Sequence, residues 1–66
     1  MNTDRFVRER ERREITGVPT STWYELMGEG EAPKPVNIGP RAVAWQLSEL
    51  TAWQQLRIAE RDGHAA

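Results

Sequence analysis

The sequence contains no cysteine, a single histidine, one tyrosine, one phenylalanine and no long apolar run. Each shortage excludes something. Without cysteine there is no disulfide framework and no thiolate metal site, and one histidine cannot build a zinc site. No apolar stretch approaches the roughly 18 residues of a membrane span, and the charged N-terminus lacks the apolar segment of a signal peptide. Positive charge is not in excess either. Nine Lys and Arg stand against ten Asp and Glu, a net charge of −1. That balance is unfavourable for a nucleic-acid binder, because phosphate neutralisation supplies much of the affinity. A chain of 66 residues is one domain at most and too small to enclose a substrate under a lid. No nucleophile–base pair, carboxylate pair with pocket context or phosphate loop is present. Gly28-Glu29-Gly30 carries an acid inside the loop. The expectation is a soluble, non-enzymatic domain without cofactor or metal, stabilised by its apolar core and helped by oligomerisation or a partner.

The residues that are present define an order of elements. Met1 to Asp4 read as a loose end, and Phe6 and Val7 are the first core candidates. Residues 8–14, RERERRE, alternate in sign and read as a solvated helix face laced with local ion pairs. Gly17 then supplies a left-handed helix end and Pro19 suits a helix start. Thr20, Ser21 or Thr22 can cap a second helix, with Glu25 near capping-box spacing. Trp23, Leu26 and Met27 form one stripe of that helix, which Gly28, Gly30 and Pro33 end. Val36-Asn37-Ile38 and Val43-Ala44-Trp45 alternate around Gly39-Pro40-Arg41-Ala42, predicting a β-hairpin with Val36, Ile38, Val43 and Trp45 on one face. Ser48 caps a third helix carrying Leu47, Leu50, Trp53 and Leu56, and Gly63 stops it before a frayed His64-Ala65-Ala66 tail. The three tryptophans, spaced with Leu and Val, are expected in the core. The fold class is mainly α with a small β-hairpin, a winged helix-turn-helix in the order helix, helix, strand, strand, helix. Its domain spans residues 5–62 between flexible ends at 1–4 and 63–66.

A family signature runs through these elements. It comprises Arg5-Phe6-Val7-Arg8, Ile15-Thr16-Gly17-Val18, Ser21-Thr22 with Tyr24, Gly30, Pro33-Lys34-Pro35-Val36, Ile38-Gly39 with Arg41, Val43-Ala44-Trp45, Glu49-Leu50 and Trp53. In this order the motifs resemble the AlpA-type prophage regulators and the related excisionases, winged-helix proteins akin to the DNA-binding domain of MerR-type regulators. The resemblance covers about residues 5–57. It implies a second helix, near residues 19–27, in the major groove of double-stranded DNA, and a wing around Gly39-Pro40-Arg41 on the backbone or minor groove. It also implies a phage or prophage transcriptional regulator in the bacterial cytoplasm, nucleoid-associated when bound. The alternative within the class is an excisionase that bends DNA and recruits an integrase. The chain departs from the family pattern at Glu25 and Glu31, where basic residues are usual, and at Gly28, Ala32 and Asn37. Glu9 and Arg12 replace apolar positions of the first helix.

The expected DNA contacts follow from residue chemistry on this frame. Thr20, Ser21 and Thr22 can bond phosphates at a helix start, and Tyr24 can add a phosphate or base contact. Arg41 at the wing and Lys34 between two prolines are expected on phosphate or in the minor groove. Arg5 and Arg8 match the family pattern and are expected on the backbone, whereas Arg10, Arg12 and Arg13 are expected in the solvated, salt-paired face. Charge is uneven along the chain. Residues 16–31 carry −3, residues 32–45 carry +2, and residues 1–15 carry +1. Few phosphate contacts imply weak binding by one copy, so copies on adjacent sites or a partner protein are expected to add affinity. The acids at 25 and 31 motivate a rival of another class, a protein-interaction module that kept the fold and lost strong DNA binding.

Overall fold

The computed structural model of the protein describes residues 4–65, with side chains described through residue 63. Its elements are β1 (Phe6–Val7), α1 (Glu9–Thr16), α2 (Thr20–Gly28), β2 (Val36–Gly39), β3 (Ala42–Gln46) and α3 (Leu47–Ala65). The fold is the expected one: mainly helical, helix–helix–strand–strand–helix, with α1 and α2 joined by a tight turn and the β2–β3 hairpin as the wing. The turn depends on Gly17, which ends α1 at φ +73° and donates its N–H to the Arg13 carbonyl at 2.8 Å. A left-handed residue costs glycine nothing and other residues about 1–2 kcal/mol. α2 ends in a Schellman motif. Gly30, at φ +77°, donates to Met27 O at 3.1 Å, and Glu31 N donates to Leu26 O at 2.8 Å.

The wing is broader than a hairpin. Phe6 and Val7, the first core candidates, form an edge strand against β3, pairing Phe6 with Gln46 and Val7 with Trp45. The sheet order is β1-β3-β2, and the Leu47 N–H donates to Arg5 O at 2.8 Å. Val7 is buried and Phe6 exposed, the alternation of a strand with one solvated face. The hairpin register also differs from the expected one. Val36 lies opposite Ala44 and Asn37 opposite Val43, with an irregularity before the Gly39–Ala42 pair. Directly opposed residues share a face, so Val36 does not share one with Trp45. Ala44 and Trp45 are both fully buried, whereas Val36, Ile38 and Val43 are partly exposed.

Val7, Trp23, Met27, Trp45 and Leu50 form the core, with Ile15, Val18, Leu26, Ala32, Leu47 and Trp53 packed against it. Trp23 meets Trp45 and Trp53 edge-to-face, with ring centroids 6.3 and 5.1 Å apart. Such pairs contribute about 0.5–1.5 kcal/mol beyond the area they bury. The Trp45 indole N–H donates to Pro33 O at 2.9 Å and that of Trp53 to Glu31 O at 3.0 Å, which pins the loop after α2. The buried Trp23 indole N–H has no acceptor among the described residues.

One core member was expected in solvent. Arg12 is fully buried. Its guanidinium lies 4.8 Å from the Trp23 ring centroid and 5.9 Å from that of Trp45. It donates to Val18 O at 2.6 Å and Thr16 Oγ1 at 3.2 Å, and forms a two-pronged ion pair with Glu9. Planar, weakly hydrated and forked, it can stack on indoles while satisfying several acceptors, which an ammonium cannot.

Asp4, at the chain's N-terminal side, is tied to α3. Asp4 Oδ1 accepts the Ser48 N–H and Oδ2 accepts the Ser48 hydroxyl, both at 2.9 Å. Ser48 therefore lies inside α3 and is held by Asp4, instead of capping the helix with its own side chain. An anion at this position also complements the helix dipole. α3 runs through Gly63 to Ala65, so that glycine is not a stop. Residues 1–3, Ala66 and the side chains of His64 and Ala65, which belonged to the expected loose ends, lie outside the described residues.

Candidate nucleic-acid interface

The start of α2 follows Pro19, whose fixed φ (−60°) prepares the helix without a side-chain cap. The first intrahelical bond is Trp23 N–H to Pro19 O at 2.9 Å. The amides of Thr20, Ser21 and Thr22 precede it and have no partner within the helix. Trp23, Leu26 and Met27 take the inward face. At 100° per residue the opposite face centres on Ser21, Glu25 and Gly28, with Thr22 and Tyr24 on its flanks. All five are exposed. The capping role expected of the hydroxyls is not realised. The half-buried Thr20 hydroxyl donates instead to Glu9 Oε2 at 2.7 Å.

Glu9 thus joins α1 to the start of α2, and Arg12 joins it to the intervening turn. Burial works against the Glu9 carboxylate, but the bonds from Arg12 and Thr20 outweigh it and hold the carboxyl below its usual pKa. This polar clamp ties α1, the turn and the start of α2 together. The Trp23–Trp45 contact in turn fixes α2 against the wing. Nothing in the alternating charge pattern distinguishes Arg12 from Arg10 or Arg13. The usable signal was its position, apolar in the family it resembles.

The wing tip is a two-residue turn, Pro40-Arg41, between the paired Gly39 and Ala42. Arg41 is exposed at φ +57°, the one non-glycine residue with positive φ among those described. Its side chain has no ion-pair partner among the described residues. Lys34 is likewise exposed and unpaired in the loop between Pro33 and Pro35. Arg8, at the N-terminal boundary of α1, is exposed and unpaired as well. Arg5 differs. Its guanidinium engages both oxygens of Glu11, donating to Oε1 at 2.9 Å, and the pair holds Glu11 below the usual carboxylate range. A phosphate would have to compete with that carboxylate. The site residues are therefore four separate groups, with no hydrogen bond among the described residues linking α2, the wing tip, Lys34 and the β1 edge.

Comparison with known proteins shows the family of this chain. Residues 5–58 match the family model described as prophage CP4-57 regulatory protein (AlpA). The chain belongs to the AlpA family. A relative in Enterobacteria phage P4, the uncharacterized protein ORF88, is 47% identical over 58 residues. That alignment covers 88% of this chain and 66% of the phage protein, just under two thirds of its length. No solved structure matches the chain. AlpA is a family of prophage regulators and not of enzymes. Among the described residues, no helix is long and apolar enough to cross a membrane.

Proposed function

We propose that this AlpA-family chain is a sequence-specific duplex-DNA-binding regulator of prophage-type genes, working in the bacterial cytoplasm. The start of α2 lies in the major groove, with Ser21, Thr22 and Tyr24 toward the DNA and open amides toward a phosphate. Thr20 acts from behind by orienting the helix start through Glu9. The wing tip with Arg41 lies on the same duplex, and Lys34, Arg8 and the competed Arg5 add backbone contacts. The observation that carries the reading is the locked pairing of an open helix start with an unpaired cationic wing tip, held together by Trp23 and Trp45. The test is the salt dependence of binding to promoter-flanking DNA, followed by fluorescence anisotropy. Three or four phosphate contacts predict a log–log slope of about −3. A slope near zero, or no binding at low salt, contradicts the reading.

One observation favours a second reading. Glu25 sits in the middle of the exposed face of α2, where it repels phosphate. If DNA fails to bind while the fold is intact, that face is a protein-docking face. Sharp DNA bending and dependence of excision on the protein would select the excisionase variant, with an integrase as partner.

A further inference from the structure

We infer that the groove between the loop after α2 and the first half of α3 is a docking site for a basic amphipathic helix of a partner protein. It is an open cavity of about 410 Å³. Ala32 and Pro33 form its loop wall, Trp53 and Leu56 its α3 wall, and Glu31 and Glu49 also line it. Glu49, Trp53 and Leu56 fall at i, i+4 and i+7 and so share one face of α3. Leu56 is 59% exposed, the most exposed of the large apolar side chains described. Ala32 and Trp53 also pack against the core. The loop wall is held by the indole bonds from Trp53 to Glu31 O and from Trp45 to Pro33 O. A partner therefore meets a groove already formed, which lowers the ordering cost of binding.

Charge selects the occupant. Neither Glu31 nor Glu49 has a side-chain hydrogen bond or ion pair among the described residues. The stretches that form the two walls, residues 28–33 and 47–56, contain Glu29, Glu31 and Glu49 and no Lys or Arg. The neighbouring cation, Arg57, is already engaged, 5.4 Å from the Trp53 ring centroid and paired with Glu60 at 3.2 Å. An apolar groove edged by free carboxylates repels phosphate and complements an apolar stripe flanked by Lys or Arg. An amphipathic helix presents such a stripe to a groove. A second copy of this chain does not supply one. Its arginine-rich stretch is interleaved with Glu9, Glu11 and Glu14, and Arg5 and Arg12 are already paired. Ser21, Thr22, Tyr24, Lys34 and Arg41 do not line the groove, so it is separate from the proposed DNA contacts.

The probe is a synthetic helical peptide with leucines at i, i+3, i+4 and i+7 and lysines elsewhere. One control peptide carries glutamates in place of the lysines, and another has the lysines and leucines shuffled so that the stripe is lost. Each is titrated into the isotope-labelled intact protein at physiological salt and followed by NMR. The basic amphipathic peptide is expected to bind at least about fivefold more tightly than either control. Its shifts are expected at residues 30–33 and 49–56 and at the Trp53 indole N–H. E31Q/E49Q and L56S should each remove most of that preference while melting with the parent, because all three side chains are exposed. E25Q, on the exposed face of α2, should bind like the parent. Absence of binding, equal binding of a control peptide, shifts centred on residues 20–25, or E31Q/E49Q binding like the parent overturns the inference. A dimer of the protein alone that L56S dissolves would overturn it too, by giving the groove to a second copy. Failure of the DNA titration would leave this result untouched.

Discussion

Replacing Arg12 by methionine removes a buried cation of similar length and leaves its acceptors behind. The Val18 carbonyl loses a 2.6 Å bond in the turn between α1 and α2. Stranding a buried acceptor costs about 1–3 kcal/mol. The stacking of the guanidinium on Trp23 at 4.8 Å contributes roughly 0.5–2 kcal/mol more. Glu9 loses its ion partner, but its side chain is 34% exposed, so water offsets much of that loss. Methionine returns some apolar contact. The net expectation for R12M is a loss of about 3 kcal/mol, which in a domain this small lowers Tm by roughly 12–24 °C. R12K is expected to lose nearly as much, because an ammonium keeps the charge but not the fork or the stacking plane. The double variant E9L/R12L should recover part of the loss by removing the stranded carboxylate together with the cation. Circular dichroism melts and urea titration of the four proteins provide the assay. A solvated arginine in a salt-laced helix face would give changes within about 0.5 kcal/mol. R12M melting with the parent would therefore refute the buried clamp.

Glu25→Arg replaces repulsion by attraction at the centre of the exposed α2 face. It should tighten DNA binding and steepen the salt slope by about one unit; unchanged affinity would count against this helix facing DNA. Arg41→Gly relieves a left-handed backbone worth about 1–2 kcal/mol, partly offset by about 0.5–1 kcal/mol of glycine entropy. Its Tm should hold or rise slightly while DNA binding weakens, and a fall in both would mean that the arginine supports the turn. Asp4, Glu9 and Glu11 all have lowered carboxyl pKa values; for Asp4 the Ser48 backbone N–H is the main cause. A folded pKa below the unfolded one adds stability that is present above the ordinary carboxylate range. That stability is lost as pH falls through the folded values. Stability should decline on acidification below about pH 4–5, and Asp4→Asn should flatten that decline; a parental acid profile in the variant would dismiss the Asp4–Ser48 anchor.

Much of the fold is legible in the sequence because local chemistry and tertiary structure agree. Gly17 and Gly30 announce helix ends that need positive φ, and Pro40-Arg41 announces the turn. The tryptophan spacing marks the core. What escaped is what depends on partners distant in sequence. Phe6 and Val7 are too short a run to signal a strand, and only β3, some forty residues on, makes them one. In the wing, valine and isoleucine suggest burial by alternation, whereas the two buried residues of β3, Ala44 and Trp45, are adjacent. Arg12 was hidden by the charges around it, and Asp4 by its distance from Ser48. For the interface, residue types identified the open groups, Ser21, Thr22, Tyr24, Lys34, Arg8 and Arg41. They could not show that Thr20 is tied to Glu9 or Arg5 to Glu11, since those pairings exist only once the helices and β1 are assembled.

In the proposed docking, α2 and the wing meet one duplex together. The most direct measurement is an amide NMR titration of the intact protein with promoter-flanking duplex at low salt. Joint docking predicts shifts at residues 20–25 and at 38–42 that saturate at the same DNA concentration, with the far end of α3 unmoved. Shifts confined to one of the two segments, or saturating at different concentrations, would contradict a single docked surface. Shifts in neither would remove DNA from the account altogether.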